Sequence, residues 1–210
     1  MTTKNNIKLI DCEQRSEKWH AERQGVVTGT GLKSIIGTPK VRETYFYEIL
    51  AERLSTEANS DESAMDRGVR LESEAIEEYK TRTKAQISLI GLVKRKDNKW
   101  LGYSPDALVE QNNGTYEKDI EVKCLSSAKH IKTYLTKQIP EEYLAQAISG
   151  FVVNDDLKER DFVFYDPRIS KIPFFVITIR RLDYEIEILE AKQKADEFID
   201  EINNTLEKII

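Results

Sequence analysis

Soft metal ligands are scarce in this chain: Cys12, Cys124, His20 and His130 are its only cysteines and histidines among 210 residues. They are too few and too far apart for a zinc site of the Cys/His type, so any bound metal must be held by oxygen. Neither histidine is paired in sequence with a nucleophile, and neither is given a catalytic role. Two cysteines, and an opening M-T-T-K-N-N-I-K without the apolar run of a secretion signal, point to a reducing, cytoplasmic setting. No segment approaches the roughly 20 apolar residues of a membrane span. Positive charge is not in excess either: 32 Lys and Arg stand against 37 Asp and Glu, a net charge of -5. A polyanion would therefore have to be met by a local basic patch. Internal repeats, low-complexity tracts and linkers are missing; the nearest candidate is the polar run S-T-E-A-N-S-D-E-S at 55–63. With 40% hydrophobic residues the chain has enough for one core, which predicts one domain over 1–210.

Periodicity predicts helices over 44–58 and 64–81. The second carries Met65, Val69, Glu72, Ile76 and Tyr79 on one face, with a glutamate in an otherwise apolar stripe. Three strand-like runs follow, Ile87 to Arg95, Trp100 to Val109 and Thr115 to Cys124. They are separated by Asp97-Asn98 and by Asn112-Asn113-Gly114, and predict a three-stranded meander. Ser126 or Ser127 caps a further helix, and Pro140-Glu141-Glu142 starts another whose apolar face has Tyr143, Leu144, Ala147, Ile148 and Phe151. Strands at Phe162 to Tyr165 and Phe174 to Ile179 precede a packing helix over about 184–209, with Leu189, Ala195, Phe198, Ile202, Leu206 and Ile209 as its stripe. The order predicts a mixed α/β domain, with a mixed central sheet flanked by helices. Trp19, Tyr45 and Phe46 are expected in the core.

Strand alternation places Asp119, Glu121 and Lys123 on one face and Ile120, Val122 and Cys124 on the other, a charged face and a core face. The strand before ends at Tyr103-Ser104-Pro105-Asp106. A proline inside a strand marks an edge or a bulge, which re-aims Asp106 towards Glu121. Two carboxylates on neighbouring strands, with the backbone carbonyl of Val122, form an oxygen donor set suited to one or two Mg2+ ions and phosphodiester hydrolysis. Lys123 would orient the attacking water and offset charge on the phosphate. Glu72 joins as a third carboxylate, because an ionised carboxylate on a buried helix face costs several kcal/mol unless it is paired or binds metal. Two Mg2+ against Asp106, Glu121 and Glu72 leave the site positive. The bland reading is a surface hairpin and solvated charges.

S-P-D at 104–106 and E-V-K at 121–123 resemble the PD-(D/E)xK nuclease motif of the restriction-endonuclease-like fold. W-H-A-E-R-Q-G-V-V-T-G-T at 19–30, M-D-R-G-V-R-L-E at 65–72, E-V-K-C and Y-L-A-Q at 143–146 are similar, in order, to blocks of the phage lambda exonuclease family, the YqaJ-type viral recombinases. The resemblance implies metal binding by Glu72, Asp106, Glu121 and the Val122 carbonyl, catalysis by Lys123 with Gln146 beside it, and a motif-bearing core over about 19–180. It also implies that Arg23, Thr30 and Lys129 bind the 5'-phosphate of a DNA end. Thr30, ahead of the apolar run Leu32 to Ile36, is read as a helix cap. Gln146 lies off the apolar face of its helix, which by itself reads as solvent-exposed. Lys33, Lys40, Arg42, Lys129, Lys132 and Lys137 are candidates for a backbone-contacting basic track.

The activity implied is a Mg2+-dependent 5'-to-3' exonuclease on linear double-stranded DNA, with Mn2+ able to substitute. It would release 5'-mononucleotides and leave a 3' overhang. The implied assembly is a homotrimer ring working with a single-strand annealing protein, phage-encoded or in a bacterial host. Two competing readings stay open: a restriction-type or repair endonuclease of the same fold, and a catalytically inactive DNA-end-binding protein.

Overall fold

The computed structural model describes residues 6–54, 66–111, 115–125 and 127–209. The expected features at Met65, at Asn112-Asn113-Gly114, at Ser126 and across 55–63 lie outside the described residues.

The chain begins with strand β1 (Ile7–Ile10) and helices α1 (Glu17–Arg23), α2 (Gly29–Ile35), α3 (Pro39–Leu54) and α4 (Asp66–Thr83). Five strands follow: β2 (Ile87–Ser88), β3 (Leu92–Arg95), β4 (Gly102–Tyr103), β5 (Ala107–Val109) and β6 (Lys118–Lys123). Then come α5 (Ser127–Thr136), α6 (Leu144–Val153), β7 (Glu159–Tyr165), β8 (Phe174–Arg180) and α7 (Glu185–Leu206). Short 3-10 turns at Glu141–Tyr143 and Arg181–Tyr184 lead into α6 and α7. Pro39 opens α3 five residues earlier than Thr44, where the periodicity placed it; a proline in the first turn loses no hydrogen bond that the helix would make.

The expected three-stranded meander is not formed. Each of its first two strands divides and serves two sheets: β1, β3 and β4 form one antiparallel sheet, while β2, β5, β6, β7 and β8 form a second in that order. The first division lies at Gly91, where a Cβ would stand 2.5 Å from Cys12 Sγ and 2.6 Å from the Cys12 carbonyl oxygen. The N-terminal segment thus crosses the chain in contact with its backbone, and only glycine leaves room. The second division is Ser104-Pro105-Asp106, where proline supplies no ladder N–H. Past it, the Asp106 amide donates to the Ile120 carbonyl at 3.1 Å and the chain enters the second sheet.

All neighbours in the second sheet are antiparallel except β6 and β7, which run parallel through the crossover that carries α5 and α6. One face of this central pair, with Ile120, Val122 and Val163, packs against Ala75, Ile76 and Tyr79 of α4. Phe162 and Phe164 on the other face join Phe151 of α6 and Phe198 of α7 in the larger core. Phe46 is in that core, Tyr45 packs against it, and Trp19 is half-buried with its indole N–H donating to the Gly91 carbonyl at 2.9 Å.

The charged face expected on β6 is formed, but it is buried like the core face. Asp119 is 0% and Glu121 4% exposed, covered by α6. Charge can stay there because it is paired: Arg160, also fully buried, donates from Nε to Asp119 at 2.8 Å and from Nη1 to the carbonyls of Gln146 and Ala147 at 2.7 and 3.0 Å. Gly150 makes the space, since a Cβ there would lie 2.7 Å from Arg160 Nε. The α7 stripe also shifts. Ile188, Ala191, Ala195, Phe198, Ile199 and Ile202 are buried, whereas Leu189 and Ile209 are exposed, as is Leu144 of α6. No helix among the described residues is long and apolar enough to cross a membrane.

Removing one partner of a buried ion pair strands the other, so Arg160→Met is expected to cost about 3–5 kcal/mol. The double variant Asp119→Leu/Arg160→Met should recover most of that loss. Urea unfolding of the three proteins checks both.

Candidate active site

The break at Pro105 and the alternation of β6 bring Asp106, Glu121 and Lys123 to one end of the second sheet. Asp106 Oδ2 accepts from the Val122 amide at 2.6 Å, which ties the S-P-D turn to the strand carrying the other two residues. Glu121 Oε1 accepts from Lys123 Nζ at 2.7 Å and from Gln146 Nε2 at 2.5 Å. Its Oε2 stands 3.6 Å from Arg160 Nη2. Gln146 is thus half-buried against the strand rather than exposed; the end of α6 that covers β6 turns it inward. Lys123 Nζ lies 5.0 Å from the Tyr143 ring centroid, so an aromatic wall limits its movement.

Glu72 comes from α4 and is half-buried rather than buried. It is paired with Arg15, whose Nη2 stands 3.3 Å from Glu72 Oε2. Among the described residues no three acidic, histidine or cysteine side chains converge as a finished metal shell, because Glu72 is turned to Arg15 and Glu121 to Lys123 and Gln146. The carboxylates nevertheless feel one another. Burial, then Glu121, then Glu72 push the Asp106 carboxyl well above the usual carboxylate range, against the opposing Val122 amide and Lys123. Burial also raises Glu72, with Arg15 pulling the other way. Burial alone would lower the Lys123 pKa, but Glu121 and Asp106 more than reverse it, so the side chain is an ammonium.

Arg23 lies on the other side of the S-P-D turn. Its Nη1 donates to Ser104 Oγ at 2.7 Å, its Nη2 to Thr28 Oγ1 at 3.2 Å, and its guanidinium stacks 4.3 Å from the Trp19 ring centroid. Arg23 and Thr28 border a pocket of about 240 Å3, lined also by His20, Thr30 and Tyr45 among others. Thr30 is not the helix cap expected; the N-cap of α2 is Thr28, whose hydroxyl is taken up by Arg23 instead of the helix backbone. Thr30 is exposed in the first turn, with Oγ1 3.4 Å from that of Thr28. Lys129 does not join this pocket. It sits on α5, bonded to Glu142 at 2.8 Å, in a separate groove of about 470 Å3 with Lys132. The Glu142 carboxyl is held below its usual range by that bond and by Lys129, Lys33 and Lys132, so these lysines form a local basic cluster. Of the other track residues, Arg42 is paired with Glu201 and Lys137 stacks on Tyr134.

Sequence reading did not single out Ser104, Thr28 or Arg15. Ser104 and Thr28 sit inside the quoted motifs, but only the meeting of α1, α2 and the strand end makes them partners of Arg23.

A family model described as the YqaJ-like viral recombinase domain matches residues 18–155. Among solved structures, an alkaline exonuclease from Laribacter hongkongensis, LHK-Exo, is similar with a TM-score of 0.80 and 29% identity, covering 92% of this chain and 96% of that chain. The same protein in complex with dAMP also gives a TM-score of 0.80, at 28% identity and equal coverage. Protein D345L of African swine fever virus (strain Badajoz 1971 Vero-adapted) is 28% identical over 167 residues, 75% of this chain and 45% of that protein. The chain thus spans less than half the length of this viral relative.

The raised Asp106 pKa means that the folded protein holds this proton more tightly than the unfolded chain does. Stability is therefore lost as pH rises from the ordinary carboxylate range through the raised value. In EDTA, Asp106→Asn is expected to raise the unfolding midpoint near about pH 8 by roughly 2–4 °C per kcal/mol relieved, with little effect near about pH 4. Thermal unfolding at the two pH values checks this.

Proposed function

The chain belongs to the YqaJ-like viral recombinase domain family, and from that premise we propose that it is a Mg2+-dependent exonuclease acting 5' to 3' on linear double-stranded DNA. The observation that carries this reading is the adjacency of two sites across one turn: Ser104 holds Arg23 while Asp106, two residues on, holds the Val122 amide of the E-V-K strand. A group that reads a terminal phosphate is thereby coupled to a group that hydrolyses the next linkage.

The donor set fits a hard cation. Asp106, Glu121 and Glu72 offer oxygen only, and the burial and mutual repulsion that together raise Asp106 are what a divalent ion would offset. Those three side chains and the Val122 carbonyl would hold the metal, two Mg2+ per site, with Mn2+ as a substitute. Bound there, Mg2+ supplies charge stabilisation to the attacking and leaving oxygens of an in-line displacement.

The protein's own groups do the rest. Lys123, an ammonium, orients the attacking water, favours its deprotonation by field rather than by accepting the proton, and offsets the charge that builds on the phosphate. Gln146 fixes Glu121 Oε1 from α6 and limits the rotamers of both Glu121 and Lys123. Arg23, supported by Thr28, Thr30 and Ser104, reads the 5'-phosphate as a planar donor. Lys129, from its separate cluster with Lys33 and Lys132, contacts the DNA backbone further along. The dAMP held by the similar LHK-Exo structure supports a mononucleotide product. The 3' overhang left behind would serve recombination with a single-strand annealing protein. A homotrimer ring reconciles a net charge of -5 with DNA, because only an inner channel needs to be basic.

A timed digestion of one linear duplex, carrying either 5'-phosphate or 5'-hydroxyl and labelled at each end, beside a closed circle, tests the reading. Loss of label from the 5' end first, an intact circle and full inhibition by EDTA are expected; cutting of the circle at the linear rate favours an endonuclease instead. Arg23→Ala should shrink the advantage of phosphorylated ends, and an unchanged ratio would remove Arg23 from end recognition.

Lys123→Ala is expected to lower the single-turnover rate by at least about 100-fold while DNA affinity stays within a few-fold, since the ammonium acts mainly on the transition state. Quench-flow and fluorescence anisotropy measure the two separately.

A further inference from the structure

Arg15 has a backbone that its residue type disfavours. Its φ is 69°, in the left-handed region where glycine is at home and a long side chain costs about 1 kcal/mol or more. Lys84 and Lys137, the other described non-glycine residues with positive φ, directly follow the ends of α4 and α5, where this conformation commonly terminates a helix. Arg15 follows no helix. Its neighbours are both fastened: Gln14 Nε2 donates to the Pro105 carbonyl at 2.8 Å, and Ser16 caps α1 by accepting from the Trp19 amide at 3.2 Å. The strained residue is thus held between the S-P-D turn and the helix that presents Arg23. Its side chain is 30% exposed, and among the described residues its guanidinium meets one acceptor, Glu72 Oε2, through one nitrogen at 3.3 Å. That contact leaves most of the five donors of an arginine fork uncommitted.

From this arrangement we infer that Arg15 is a phosphate-binding residue for the DNA strand in the active site, held on Glu72 until that carboxylate is taken up as a metal ligand. This rests on the nuclease reading above. Without metal, the charge of Glu72 is offset by Arg15 and that of Glu121 by Lys123 and Arg160. When divalent ions take over that task, Glu72 no longer needs the guanidinium, and the nearest new anion is the substrate phosphate. Arg15 and Arg23, before and at the end of the same short helix, would then grip successive parts of one strand on either side of Asp106.

The test is binding of the full chain to a 5'-phosphorylated duplex by fluorescence anisotropy across a salt series, in Ca2+ and separately in EDTA, with Arg15→Ala and Arg15→Lys beside the parent. In Ca2+ the alanine variant is expected to bind roughly tenfold more weakly, with a slope of log affinity against log salt lower by about one. Lysine should recover part of the loss, as charge remains but the fork does not. In EDTA the gap should shrink, because Glu72 still holds Arg15. Equal affinity and slope for parent and alanine variant in Ca2+ would overturn the inference, as would a gap of equal size in EDTA. Wild-type-like DNA binding with weakened Ca2+ binding by calorimetry would make Arg15 a positioning residue for Glu72 and overturn it as well. If the parent itself binds no DNA in either condition, the nuclease reading fails, and Arg15 with it.

Discussion

The cost of burying carboxylates that also repel one another is the constraint around which this site is arranged. Asp106, Glu121 and Glu72 come from a turn, a strand and a helix, and burial strengthens the field of each on the others. Three cations among the described residues answer that field. Lys123 is bonded to Glu121, Arg15 reaches Glu72, and Arg160 stands beneath Glu121 while neutralising Asp119. Positive charge stabilises a site built this way, and binding a hard divalent ion would stabilise the folded protein further.

Strand β6 carries the consequence into the fold. This strand is covered on both faces, so its polar residues must be satisfied from within. Helix α6 does this twice. Its Gln146 side chain donates to Glu121, and its Gln146 and Ala147 carbonyls accept from Arg160, which in turn holds Asp119. Strand β6 is therefore braced by the same helix that closes the larger core, and the positions of Glu121 and Lys123 depend on packing around Phe151 and Phe162.

The proline of the S-P-D turn links local chemistry to the division of the sheets. Lacking an N–H, it interrupts a run that would otherwise continue as one strand, and the interruption sends Tyr103 to the first sheet and Ala107 to the second. Ser104 and Asp106 are left on opposite sides of the break, one on Arg23 and the other on the Val122 amide. The expectation of a continuous meander failed here and at Gly91 for one reason: side-chain alternation is the same whether a run pairs with one partner or changes partners midway.

Local rules in the chain were enough for the helices α3, α4, α6 and α7, the alternation of β6, the apolar environment at Phe46, Phe151 and Phe198, and the oddity of a glutamate at position 72. These depend on period, on backbone sterics and on the cost of burying charge, all of which act over a few residues. Contacts between distant segments lay beyond those rules. That Gln146 faces Glu121 rather than water, that Thr28 stands at the N-cap of α2 but gives its hydroxyl to Arg23, that Lys129 stands apart from Arg23, and that Arg15 lies on Glu72 all follow from how α1, α2, α4 and α6 close over the two sheets. Side-chain direction at such positions is set by which element arrives opposite, and a hydrogen bond between residues 57 apart in the chain, as for Arg15 and Glu72, leaves no periodic mark in the sequence.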